Sequence, residues 1–169
     1  MAEKYLVLEQ LKIEYNGIFS VQELYQIIDK YFREKGYDKR ELRHHEHVTE
    51  NGKYIEIELM PWKKISDYVK NEIRIYITIY NLKDVIIEQK GKKIPMQRGE
   101  LNVVVDAFLN TDYENRWETT PFYYFLRVVF DKYIYKGYID GFEEKLKEDT
   151  RGLISTLKSY LNLYKYKFE

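Results

Sequence analysis

The spacing of hydrophobic residues switches between two and three-to-four along this chain, and the switches mark its elements. From Tyr5 to Tyr15, one side carries Tyr5, Val7, Leu11, Ile13 and Tyr15 and the other Leu6, Leu8, Gln10 and Lys12, the period of a strand. Ser20-Val21-Gln22-Glu23 has the form of a capping box, in which hydroxyl and carboxylate satisfy amides left free at a helix start. Leu24, Ile27, Ile28, Tyr31 and Phe32 then repeat at three and four, and Gly36 supplies a left-handed stop.

Strands dominate from Lys39 to Lys136, punctuated by turn signals at Asn51-Gly52, Asn81 to Asp84, Lys90-Gly91-Lys92 and the polar stretch Asn110 to Pro121. Within Glu72 to Tyr80, Ile73, Ile75, Ile77 and Ile79 form an aliphatic face opposite Arg74, Tyr76, Thr78 and Tyr80. Leu101, Val103, Val105, Ala107 and Leu109 repeat the aliphatic side. Phe122 to Tyr135 is apolar on both faces, the pattern of a strand covered on both sides. A last helix, roughly Phe142 to Tyr166, carries Phe142, Leu146, Leu153, Leu157, Tyr160 and Tyr164 on one stripe, with Gly152 as a candidate bend.

The order strand, helix, strands, long amphipathic helix predicts one α+β domain over residues 1–169. A curved antiparallel sheet of about six to seven strands needs its apolar face covered, and the C-terminal helix is the natural cover. This order resembles the helix-grip fold of the START-like and polyketide-cyclase-like superfamily. The resemblance spans nearly the whole chain and is one of topology. It implies a cavity between sheet and C-terminal helix suited to a small apolar ligand, and carries over no catalytic residue.

Composition narrows the classes. Equal numbers of basic and acidic residues, 28 of each, leave no net field toward nucleic acid or an anionic bilayer. The absence of cysteine excludes disulfides, thiolate metal sites and a cysteine nucleophile. No apolar run approaches the ~20 residues of a membrane span, and Met1-Ala2-Glu3-Lys4 leads into the first strand without a signal-peptide pattern, so a cytoplasmic location is expected. Tyrosine is the outlier at 18 residues. With abundant charge and no cysteine, the composition is of a kind seen in thermophiles and also in AT-rich genomes.

Candidate chemistry concentrates in His44-His45-Glu46-His47, which holds every histidine of the chain. If Asn51-Gly52 forms a type I′ turn, Glu50 faces Lys53, and the hairpin divides into two faces. His44 and Glu46 fall with Leu42, Val48, Ile55, Ile57 and Leu59. A carboxylate there needs a partner, a polar cavity or water at a sheet edge. His45 and His47 fall with Glu56 and Glu58, a ligand set compatible with a divalent metal, or simply cross-strand pairing on a solvated face.

Arg127 and Asp131, polar in an apolar strand, and Trp62 and Trp117, placed near turns, complete the candidate ligand contacts beside His44 and Glu46. Tyr54, Tyr76, Tyr80, Tyr133 and Tyr135 share the opposite sheet side and form a candidate homo-oligomer surface. Lys90, Lys92, Lys93 and Arg98 surround a hairpin tip, but neither an excess of positive charge nor a nucleic-acid fold accompanies them. No cofactor fingerprint is present, and catalysis has no support beyond the ionisable residues themselves. The expected function is noncatalytic binding of a small apolar or aromatic ligand; the alternatives are an interaction or scaffold role through the tyrosines, and a metal site on the hairpin.

Overall fold

The computed structural model describes residues 3–111, 113, 125, 128, 129 and 136–168. The elements in chain order are β1 (Glu3–Phe19), α1 (Val21–Glu34), β2 (Glu41–Thr49), β3 (Gly52–Leu59), β4 (Trp62–Lys64), β5 (Val69–Gln89), β6 (Lys92–Thr111) and α2 (Lys136–Phe168). The strands form an open antiparallel sheet in the order β1-β6-β5-β3-β2, with β4 paired to β5. The fold is α+β, a six-stranded sheet packed on a long C-terminal helix with a shorter helix after the first strand.

The aliphatic alternation sets the core. Ile73, Ile75, Ile77 and Ile79 of β5, Leu101, Val103, Val105, Ala107 and Leu109 of β6, and Ile55, Ile57 and Leu59 of β3 are all buried. The predicted stripe of α2 meets this face: Leu146, Leu153 and Leu157 are fully enclosed, and the helix lies over β1 and β6. Each such side chain contributes roughly 1.5–3 kcal/mol of burial. Leu24, Ile28 and Phe32 of α1 join the same cluster.

Both helices are joined by polar contacts as well. Tyr31 Oη donates to the Asp149 carbonyl at 2.7 Å, and Tyr37 Oη to the buried Asp149 carboxylate at 3.1 Å. Burial, then the charge of Asp149, pushes the Tyr31 hydroxyl up to about 12 and raises that of Tyr37. Gly152 is where this approach happens: a Cβ there would stand 2.3 Å from Tyr31 Oη, so the glycine admits a neighbour within a continuous helix. Ser20 caps α1 through its Oγ at 3.3 Å from the Glu23 amide. The other half of the expected box is diverted, since Glu23 accepts instead from Tyr160, at 3.3 Å, and from Tyr164 of α2.

Three turn signals resolve differently. Lys90 and Gly91, at φ 51° and 74°, close the β5–β6 hairpin and put the basic cluster at its tip. Asn81, at φ 53°, produces a bulge rather than a turn, and β5 runs on through it. At Asn51-Gly52 the two-residue loop is Glu50-Asn51, because Thr49 rather than Glu50 begins the pairing and faces Gly52. Gly52 has φ 140°, and a Cβ on it would meet Asn81 and Leu82 backbone at 2.8 Å. The turn is set by the bulge beneath it.

The strand expected over Phe122 to Tyr135 is corrected at the described positions. Phe125, Val128 and Val129 are helical and exposed. A short run that is apolar on both sides satisfies strand and helix templates alike, so periodicity did not separate them. β1 also departs from strict alternation: register shifts after Leu6 and Leu8 move Leu8 opposite Ala107, onto the side of Ile13.

Candidate functional site

The hairpin register slides by two residues from the one expected. His44 faces Ile57, Glu46 faces Ile55, His45 faces Glu56 and His47 faces Tyr54. Because strand faces alternate with period two, a slip of two preserves them, and His44, Glu46 and Val48 still share a side with Ile55 and Ile57. What changes is their surroundings. β2 is the sheet edge and every one of its residues is exposed. Glu46, 46 % exposed, needs no costly burial and has Lys53 Nζ at 3.5 Å.

β3 turns its buried isoleucines toward the inner side, and α1 stands across from β2. Between them lies a groove of about 840 Å³. Ile55, Ile57, Leu82 and Met96 supply its apolar surface; Ser20, Val21, Gln22, Tyr25 and Gln26 line it from α1 and its cap; Glu41, His44, Glu46 and Lys53 line it from the hairpin. Asp84, Pro95 and Gln97 of the β5–β6 arm complete it. The groove is thus bounded by the N-terminal helix, while Leu146, Leu153 and Leu157 of α2 are fully buried.

Hydrogen bonds brace these walls. Tyr25 Oη donates to Glu41 Oε2 at 2.6 Å, and burial, followed by this contact, raises the phenol pKa. Glu41 Oε1 in turn lies 3.7 Å from His44 Nδ1. Gln97 accepts from the Val21 amide at 3.1 Å and donates to Asp84 at 3.4 Å, linking the helix start to the arm. The arrangement offers an apolar floor with an imidazole, carboxylates and an ammonium on its rim, suited to recognition of shape and orientation.

The other candidates are scattered. Trp62, on β4, faces Glu72 and has Lys70 Nζ 5.6 Å from its ring; it does not line the groove. Trp117, Arg127 and Asp131 lie outside the described residues, as do Tyr133 and Tyr135. His45, His47 and Tyr54 stack in a row, each 6.4 Å from the next, and Tyr54 lies 5.2 Å from Tyr80. Glu56 is engaged by Arg43 at 2.8 Å, which with Tyr76 holds its carboxyl below the usual range, and Tyr76 itself is pushed up to about 12 by burial and by Glu56. Glu58 lies opposite Arg43. Among the described residues no three His, Asp or Glu groups are placed to share a metal ion.

The pattern of the chain did not flag Tyr25 and Glu41 of the groove, because nothing local ties a helix to a strand sixteen residues on. Nor did it flag two buried carboxylates on β5 and β6. Glu72 accepts from Lys4 at 3.0 Å and lies 2.7 Å from Lys70. Its burial would raise the carboxyl, but Lys70, Asn110 and Lys4 outweigh it and hold the pKa at about 2. Asp106 accepts from Arg74 at 2.6 Å and from the Gln10 amide at 2.8 Å.

No helix among the described residues is long and apolar enough to cross a membrane. Comparison with models of known protein families, with characterised proteins and with solved structures finds no match to this chain, so its functional reading rests on the groove's own geometry.

Proposed function

We propose that this protein binds a small apolar or aromatic molecule, without catalysis, in the groove between α1 and the β2–β3 hairpin. The observation that carries the reading is an apolar floor of Ile55, Ile57, Leu82 and Met96 within a groove of about 840 Å³ whose walls and rim are largely polar. Ligand sites generally combine such a volume with a mostly apolar lining and sparse orienting groups. His44 and Glu46 stand at the rim, where they contact a polar end of the ligand while its body lies on the isoleucines. The proposed site lies beside the N-terminal helix, whereas the helix-grip resemblance implies one beside the C-terminal helix.

The test is titration with Nile red, a neutral aromatic probe, followed by fluorescence. Gln26→Trp fills the groove from an exposed helix position, and Lys30→Trp, also exposed on α1 but outside the lining, is its control. Saturable binding is expected for the native chain and for Lys30→Trp, with about tenfold weaker binding for Gln26→Trp, equivalent to ~1.4 kcal/mol. Absence of saturable binding, or equal behaviour of the two variants, overturns the proposal.

A further inference from the structure

We infer that β2 is a self-pairing edge through which two copies of this chain join their sheets. An edge strand presents unpaired N–H and C=O groups, and proteins commonly blunt such edges with charged side chains, above all Lys, or with Pro, bulges or a covering element. β2 contains neither Lys nor Pro, and nothing buries any of its residues. Its only irregularity is at its start, between Glu41 and Arg43; the register is continuous from there to Thr49. Val48 is 81 % exposed and Leu42, beside the bulge, 44 %.

The occupant follows from the order of side chains. A second copy can pair antiparallel with β2 about a twofold axis normal to the sheet, and keeping both apolar faces on one side requires opposed residues of like parity. Pairing centred on His44 opposes Leu42 to Glu46, and pairing centred on Glu46 opposes two carboxylates. Centred on His45, however, the same axis sets His44 against Glu46 of the second copy, repeats the contact by symmetry, and brings Val48 toward Leu42. On its inner face the sequence Glu41–Thr49 is thus complementary to its own reverse in the register centred on His45, which joins charged pairs and apolar pairs together.

On the other face that register places His45 against its counterpart and Arg43 against His47. Arg43 is already opposed by Glu56 at 2.8 Å, Glu56 lies across from His45, and Tyr54 lies across from His47. Lys53 and Glu41, the present neighbours of Glu46 and His44 at 3.5 and 3.7 Å, remain beside the new pairs. The inference rests on the free strand and not on the groove.

Sedimentation velocity over a concentration series tests it with the full chain. The native protein is expected to show a monomer–dimer equilibrium. His44→Glu opposes carboxylates twice across the axis and is expected to raise the dimer Kd about tenfold or more; Glu46→His removes the attraction twice and weakens it less. The swapped pair, His44→Glu with Glu46→His, restores complementarity and is expected to return Kd to within about threefold of native. Circular dichroism of each variant at low concentration checks that the monomer fold is kept. A native chain that stays monomeric, a dimer indifferent to all three variants, or a swap as weak as His44→Glu overturns the inference. A monomer that still binds Nile red overturns it alone and leaves the groove reading standing.

Discussion

Along β1, the inner residues Ile13 and Phe19 are buried, α2 lies over the strand, and Gln10 breaks the register with φ 49°. Along β2, at the opposite edge of the same sheet, no residue is buried and the register is unbroken from Arg43 to Thr49. The difference is one of cover. A helix covers the β1 edge and a bulge distorts it, whereas β2 is an exposed edge with a regular ladder from Arg43 to Thr49.

Truncation of apolar side chains at the two edges gives the largest contrast. Phe19→Ala should lower unfolding free energy by about 4 kcal/mol, since the ring is fully enclosed and packs edge-on at 6.1 Å from Tyr15. Val48→Ala should change it by no more than about 0.5 kcal/mol in urea denaturation at low protein concentration. Similar losses at both positions would break the comparison.

The bulge is the next point to probe. Asp106 is buried and accepts from the Gln10 amide and the Arg74 guanidinium, so it fastens the irregular part of β1 across β6 to β5. Asp106→Ala should cost about 2 kcal/mol by leaving both donors without their acceptor. Hydrogen exchange should rise near Gln10 and stay unchanged in β2; exchange that rises equally in both strands would show that the edges are not independent.

Glu72 offers a smaller, pH-dependent version. Its pKa in the folded chain, about 2, lies below the ordinary 4.5, so its ionised form stabilises the fold above that ordinary value. The stabilisation is lost progressively as pH falls from about 4.5 toward 2. With Lys4 itself 42 % exposed and therefore screened, the loss should be about 2 kcal/mol. Glu72→Gln should flatten this part of the stability profile, and an unchanged slope in that variant would assign the acid sensitivity elsewhere.

Much of the fold was legible because periodicity is a local property. The isoleucines of β5, the α2 stripe and the stop at Gly36 follow from side-chain direction along one element. The helical state of Phe125, Val128 and Val129 was not legible, since neither template excluded the other. Asn81 was misleading: a residue suited to a turn also suits a bulge, and only the pairing of β5 with β3 and β6 selects between them. At the site, His44 and Glu46 were assigned the right face despite a wrong turn, because the register slipped by two. Tyr25, Glu41 and Met96 joined them only through packing.

The histidine cluster shows the division most clearly. The sequence by itself determined its split into His45 and His47 on one face and His44 with Glu46 on the other, because alternation along a strand follows from backbone geometry. Only the tertiary structure decided that this strand lies at the edge, exposed, with a groove on its inner side and, among the described residues, no strand beyond it. That outcome depends on which distant segments pair and which helix covers which strand. No spacing within nine residues contains that information, since it is set by contacts far apart in the chain.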